Sequence, residues 1–145
     1  GVINLPGSFN YTNGTCGASD YECTDVGGRP MVYQLYDEQN RTKLLERVGL
    51  ADDFRLRFLG LMGRSHLPKG EGLFLKKVGS VHTCFMRFTI QVIYLDRDYR
   101  VIAKEVLQPW RCGKLYKRAA HVLETGITDG DNIHIDMILR LESCN

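Results

Sequence analysis

The stretch Ser80–Asp96, SVHTCFMRFTIQVIYLD, decides how the rest of the chain is read. From Met86 apolar residues fall on every second position. Met86, Phe88, Ile90, Val92 and Tyr94 share one side, while Arg87, Thr89 and Gln91 take the other. A period of two marks a β-strand. Ile93 and Leu95 then make the second side apolar as well, which predicts a far end buried on both faces. Just before the strand stands the polar step His82-Thr83-Cys84, entered from Gly79. A long central strand with such a step at its mouth is where a site is expected.

Outward from this strand the pattern predicts further short strands. On the C-terminal side, Asp96-Arg97-Asp98-Tyr99 forms a hairpin turn, Arg100–Val106 returns, and Gln108-Pro109-Trp110-Arg111 breaks the run. Ala119–Glu124 and Ile133–Leu141 read as the last two strands, joined by a turn at Thr128-Asp129-Gly130-Asp131. On the N-terminal side, Val32–Tyr36 and Lys43–Val48 form a hairpin about the turn Asp37–Asn40. One helix is expected over residues 52–63. Asp52 caps it, Gly63 stops it, and Phe54, Phe58, Leu61 and Met62 make its buried stripe. A turn at residues 67–72 and a short strand Leu73–Lys76 lead back to the central one. The fold class is therefore α+β, mostly β: a compact curved-sheet or barrel-like domain over residues 31–145. Residues 1–30, rich in Gly, Asn, Thr and Ser, read as an extension or linker with at most an edge strand at Val2–Leu5.

Composition sets limits on function. The 145 residues are enough for a hydrophobic core, and no run reaches the roughly 18–20 apolar residues of a membrane-spanning helix. The net charge of +2 is too small to imply nucleic acid or anionic lipid as the main partner. Basic residues nevertheless gather in Arg100–Arg118, where Arg100, Lys104, Arg111, Lys114, Lys117 and Arg118 stand against Glu105. Five cysteines without a C-x-x-C pair argue against structural zinc. Cys16 and Cys23 are close enough in sequence for a small disulfide loop, which would favour an exported protein. Without it the compartment stays open, cytoplasmic or exported. The four histidines show no ligand spacing, and Asp129-Gly130-Asp131-Asn132 is too short for a calcium loop, so no metal or other cofactor is expected.

Six short motifs carry a family resemblance. In order they are Gly60-Leu61-Met62-Gly63-Arg64, Leu67-Pro68-x-Gly70-x-Gly72, His82-Thr83-x-Phe85-Met86-x-Phe88-x-Ile90-x-Val92, Leu95-Asp96, Pro109-Trp110-Arg111 and Val122-Leu123-Glu124. Over about residues 31–135 the chain resembles the bacterial and archaeal family called domain of unknown function 192. The resemblance implies a compact, mostly β, barrel-like domain with a helix and no established enzymatic activity. It also implies a setting near the cell envelope, since some members accompany pilus or secretion genes and others carry export signals. The chain departs from the family in two places. Thr89 and Gln91 stand where the family has an acidic residue, which removes a candidate acid/base, and the segment after Glu124 is shorter.

The candidate ligand-binding residues are Arg64, His82, Thr83, Met86, Trp110, Arg111 and Glu124. Arg64 is read as the ion-pair partner of Glu71 or Glu124, or else as an anion clamp. His82 is read as a hydrogen-bonded histidine beside a buried Cys84. Trp110 is read as a core plug in preference to a stacking platform. Three functions follow. The favoured one is a non-catalytic binding or accessory domain for a small ligand or a protein partner's peptide edge. The second is an enzyme of unknown reaction with a reactive Cys84 or His82, which would need an accessible thiol of depressed pKa. The third is a weak nucleic-acid binder through residues 100–118.

Overall fold

The computed structural model describes residues 32–51, 65–83 and 86–143. The helix expected over 52–63, Arg64, Cys84 and the Cys16–Cys23 loop lie outside them. Among these residues, seven strands form one mixed sheet: β1 (Val32–Asp37), β2 (Thr42–Ala51), β3 (Glu71–Leu75), β4 (Ile90–Leu95), β5 (Val101–Leu107), β6 (His121–Thr125) and β7 (Leu139–Ser143). Their spatial order is β5-β4-β6-β3-β2-β1-β7. The pair β2 and β3 is parallel, and every other neighbouring pair is antiparallel. The sheet curves until its two ends touch. Arg100 and Ile138 form an isolated bridge, and Leu139 N–H donates to the Tyr99 carbonyl at 2.9 Å. The sheet stays open beyond that seam, a curved sheet and not a closed barrel.

The hairpin turns follow from local chemistry. Between β1 and β2, the Asp37 carboxylate accepts from the Gln39 N–H at 3.0 Å and the Asn40 side-chain amide at 2.9 Å. Between β4 and β5, Asp96 accepts from the N–H groups of Asp98 and Arg100 at 2.9 and 3.1 Å. Both are short side-chain acceptors that cap a turn from within.

All residues of β4 and β6 are buried, as the apolar second face of the quoted stretch predicts for the first of them. The register places Gln91, Ile93 and Leu95 on one face with Leu123, Thr125, His121 and Phe74. Ile90, Val92 and Tyr94 lie on the other face with Val122, Glu124, Leu73 and Glu105. Over the Gln91 end of the first face sits a short helix, α1 (Ile127–Asp131). The Gln91 amide donates to the Ile127 carbonyl at 3.0 Å and to Asp131 Oδ1 at 2.6 Å, and Lys104 Nζ donates to the Gly130 carbonyl at 2.6 Å. Asp129 Oδ2 accepts from Gly70 N–H at 2.7 Å, tying the helix to the turn before β3. Next to the helix, His121 stacks on Tyr99 with ring centroids 4.9 Å apart, and its Nδ1 accepts from Lys77 N–H at 3.0 Å. Burial, with the Lys76 charge behind it, pushes the His121 imidazole down to about 4.

Four expectations need correction. The strand of the quoted stretch begins at Ile90, not Met86, because the Met86 N–H turns back to the Thr83 carbonyl at 3.1 Å. Met86 is still buried, at 5% exposure. That strand is second in the sheet, and the middle position belongs to β3, which lies between β2 and β6. Residues 127–131 are helical, since three anchors to Gln91, Lys104 and Gly70 hold what their Asp and Gly content reads as a turn. The last strand starts at Leu139, because residues before it are spent on turns such as Met137 N–H to the His134 carbonyl.

Gln91→Glu tests the helix anchor. It would remove the donor and set a carboxylate against Asp131, costing about 2–3 kcal/mol at pH 7. The new carboxyl's pKa would be raised in the fold, so its penalty is absent at low pH and grows as pH rises above about 4.3. Denaturant unfolding at pH 4 and pH 7 should show a clearly larger deficit at the higher pH.

Candidate functional site

The second face of β4 and β6 is covered by the loop that follows β5, and one threonine ties that loop down. Thr83 is fully buried. Its hydroxyl donates to the Gln108 carbonyl at 2.6 Å and accepts from Arg111 N–H at 2.8 Å. Its backbone N–H donates to the Arg111 carbonyl at 2.8 Å, and its carbonyl accepts from Trp110 N–H at 3.0 Å. Only a side chain that donates and accepts from one atom makes both hydroxyl bonds, so serine is the nearest replacement. Beyond the clasp, Gly113 N–H donates to the Val81 carbonyl at 2.8 Å. This leaves His82 and Cys112 as a directly opposed pair whose own backbone groups are not bonded to each other. In such a pair the side chains share a face at close range. Both residues are exposed, and Cys112 is a free thiol.

Under the loop lies an acid–phenol layer in which Tyr94 and Glu124 are buried and Glu105 is half-buried. Tyr94 donates to Glu105 Oε2 at 2.6 Å, and Lys114 N–H donates to the same oxygen at 2.8 Å. The Tyr116 ring packs on Tyr94 at 4.6 Å, and Gly113 passes so close to the Tyr94 hydroxyl that a Cβ there would collide with it. Burial first, then the Glu105 carboxylate it bonds, hold the Tyr94 phenol well above its ordinary range. Glu124, on the same face and felt by Tyr94, is buried, and burial pushes its carboxyl up to about 8. At neutral pH this acid is mostly protonated.

Above the layer, Trp110 stands 57% exposed with a left-handed backbone, φ 61°. Its expected role as a core plug is overturned: the Thr83 clasp fixes the loop with the ring turned outward. Arg111, Lys114, Leu115, Lys117 and Arg118 are exposed on the same loop, Leu115 at 83%. The residues singled out from sequence therefore separate by depth. Thr83, Trp110 and Arg111 are brought together, with His82 beside them. Met86 and Glu124 belong to the buried interior, and Arg64 falls outside the described residues. Sequence reasoning missed Tyr94, Glu105, Tyr116 and Cys112. In the sequence Tyr94 is one apolar position of an alternating strand, and a cross-strand tyrosine–glutamate bond leaves no trace in local spacing.

Two predictions follow from this geometry. Thr83→Val should destabilise the fold by about 1–3 kcal/mol by stranding buried polar groups, while Trp110→Gly should leave stability equal or higher, because glycine accepts the left-handed backbone freely. Thermal unfolding of both variants checks this, and a large loss in Trp110→Gly would mean that the ring supports the fold. Glu124 supplies a pH test. A carboxyl raised in the fold from 4.5 to about 8 stabilises fully below the lower value and loses that contribution as pH rises through the window. Wild-type stability should fall relative to Glu124→Gln between pH 5 and pH 8, by up to about 1.4 kcal/mol per unit. Parallel pH profiles would show that the acid is charged throughout.

Comparison with known proteins agrees with this architecture. Residues 36–139 match the family model DUF192, described as an uncharacterized ACR. A UPF0127 protein of Pyrococcus furiosus is 38% identical over 82 residues, covering 53% of this chain and 69% of the relative. A UPF0127 protein of Pyrococcus abyssi is 30% identical over 95 residues, 62% of this chain and 80% of the relative. Among solved structures, a protein of unknown function from Novosphingobium aromaticivorans superposes with a TM-score of 0.61 at 18% identity, covering 79% of this chain and 87% of that one. A candidate transcription regulator from Sinorhizobium meliloti superposes at 0.59 with 20% identity, over 78% and 92%. At such identities these two likenesses speak for the fold alone. The family match spans well over half of the sequence, and the chain belongs to the DUF192 family.

Proposed function

We infer that the protein is a non-catalytic binding domain that holds a protein partner on the loop 108–118. The observation that carries this reading is Trp110. A bulky residue in left-handed backbone costs on the order of 1–2 kcal/mol, and an exposed indole gives up burial that the core would reward with about 2–3 kcal/mol. The Thr83 clasp holds both costs in place, with hydrogen bonds to the loop backbone on either side of the ring. Backbone strain that the surroundings enforce gathers at sites that bind, and tryptophan and arginine are the side chains that most often anchor a protein interface. Trp110 and Arg111 are neighbours in the loop, and Leu115 adds an exposed apolar side chain.

Panning a random phage-displayed peptide library on the folded protein tests the reading. The recovered peptides should bind Trp110→Ala at least about tenfold more weakly, as expected of an anchor worth more than about 1.4 kcal/mol. The thermal midpoint of the variant should not fall. Peptides that bind the variant as well as the wild type would place the binding surface elsewhere and end the proposal.

A further inference from the structure

We propose that the loop takes an acidic peptide segment of its partner, one carrying an aromatic or aliphatic side chain among its carboxylates. The inference rests on the binding reading above and names the class of partner. From Val106 to Leu123 the sequence holds no aspartate or glutamate, and it holds Arg111, Lys114, Lys117 and Arg118. All four cations are exposed. Glu105, the acid that precedes this segment, is already bonded by the Tyr94 hydroxyl and the Lys114 N–H. Lys104, the cation just before it, is spent on the Gly130 carbonyl of α1. The charges the loop segment itself presents to solvent are therefore of one sign, and a partner of the opposite sign is drawn to them and oriented by them.

The apolar side chains decide between kinds of anion. Single-stranded nucleic acid is held by several rings on which successive bases stack. Here Trp110 is the exposed ring, while Tyr116 is packed against Tyr94 at 4.6 Å. The most exposed apolar group of the loop is aliphatic, Leu115 at 83%. An aromatic and an aliphatic contact set among cations match a peptide whose apolar side chains are separated by carboxylates.

The test uses four labelled probes and fluorescence anisotropy: a 12-residue peptide alternating Asp and Glu with Phe and Leu, its twin with Lys for the acids, its twin with Ser, and a 12-nucleotide oligo-dT. The acidic peptide should bind best. Its affinity should drop about tenfold on raising salt from 50 to 500 mM, where screening collapses from a Debye length of roughly 14 Å to about 4 Å. Both Trp110→Ala and the double variant Arg111→Ser/Lys114→Ser should weaken it, each with an unchanged thermal midpoint. Equal or better binding of the serine or lysine twin, still lost in Trp110→Ala, would overturn the acidic class and leave the binding reading standing. Tighter binding of oligo-dT would overturn it in favour of nucleic acid. Absence of binding by any probe would also overturn it if the panned peptides depend on Trp110 and are not acidic. If the panned peptides ignore Trp110, both readings fall together.

Discussion

Strands β4 and β6 have two dry faces, and the rest of the molecule is arranged to keep them so. A strand with polar residues outward needs one cover, whereas a strand apolar on both sides needs two. Part of one cover is a single turn of helix over Gln91, too short to stand alone, so it is anchored by the side chains of Gln91, Lys104 and Asp129. The other is the loop after β5. A loop carries backbone groups that burial would leave unsatisfied, and Thr83 meets that demand with both its hydroxyl and its peptide groups. The two covers solve the same problem by different means, one by side chains reaching up from the sheet, the other by a buried threonine beneath the loop backbone.

The second cover carries the proposed binding surface, and what lies on its two sides makes it suited to that. Beneath it Tyr94 and Glu124 lie where burial disfavours their charged forms, with Glu105 bonded to the Tyr94 hydroxyl beside them. Above it the charges are positive and in water. The loop thus lies between the buried Tyr94 and Glu124 on one side and an outward cationic face on the other. It holds Trp110 at the boundary in a conformation that a freely folding peptide would seldom adopt. The clasp supplies rigidity in the free protein, which would lower the ordering cost of the proposed association.

What the sequence shows and hides follows the range of each interaction. The alternation from Ile90 to Leu95 is local, and it revealed a strand buried on both sides. The motifs from Leu67 to Glu124 revealed the family. The N-terminal end of that strand was hidden, since Met86 to Thr89 keep the apolar alternation while the Thr83 turn takes their backbone out of the sheet. The helix at 127–131 was hidden because Asp129 and Gly130 favour turns, and only distant residues stabilise it. Trp110 after Pro109 resembles a core residue in any linear reading. Its outward pose depends on φ, which no spacing records. In the sequence His82 stands two positions from Cys84, yet the fold sets it opposite Cys112.

The placement of β1 between β2 and β7 has a consequence for how the protein is made. Tyr33 to Asp37 pair with Leu139 to Ser143, so an early described strand waits for the latest one. A chain emerging from its N-terminal end can close the β1–β2 hairpin at once, yet it leaves an apolar strand edge unpaired for about a hundred further residues. Such long-range pairing slows folding and leaves an edge open to other chains meanwhile. The exposed interval ends only when β7 docks and the seam at Arg100 and Ile138 draws the two margins of the sheet together.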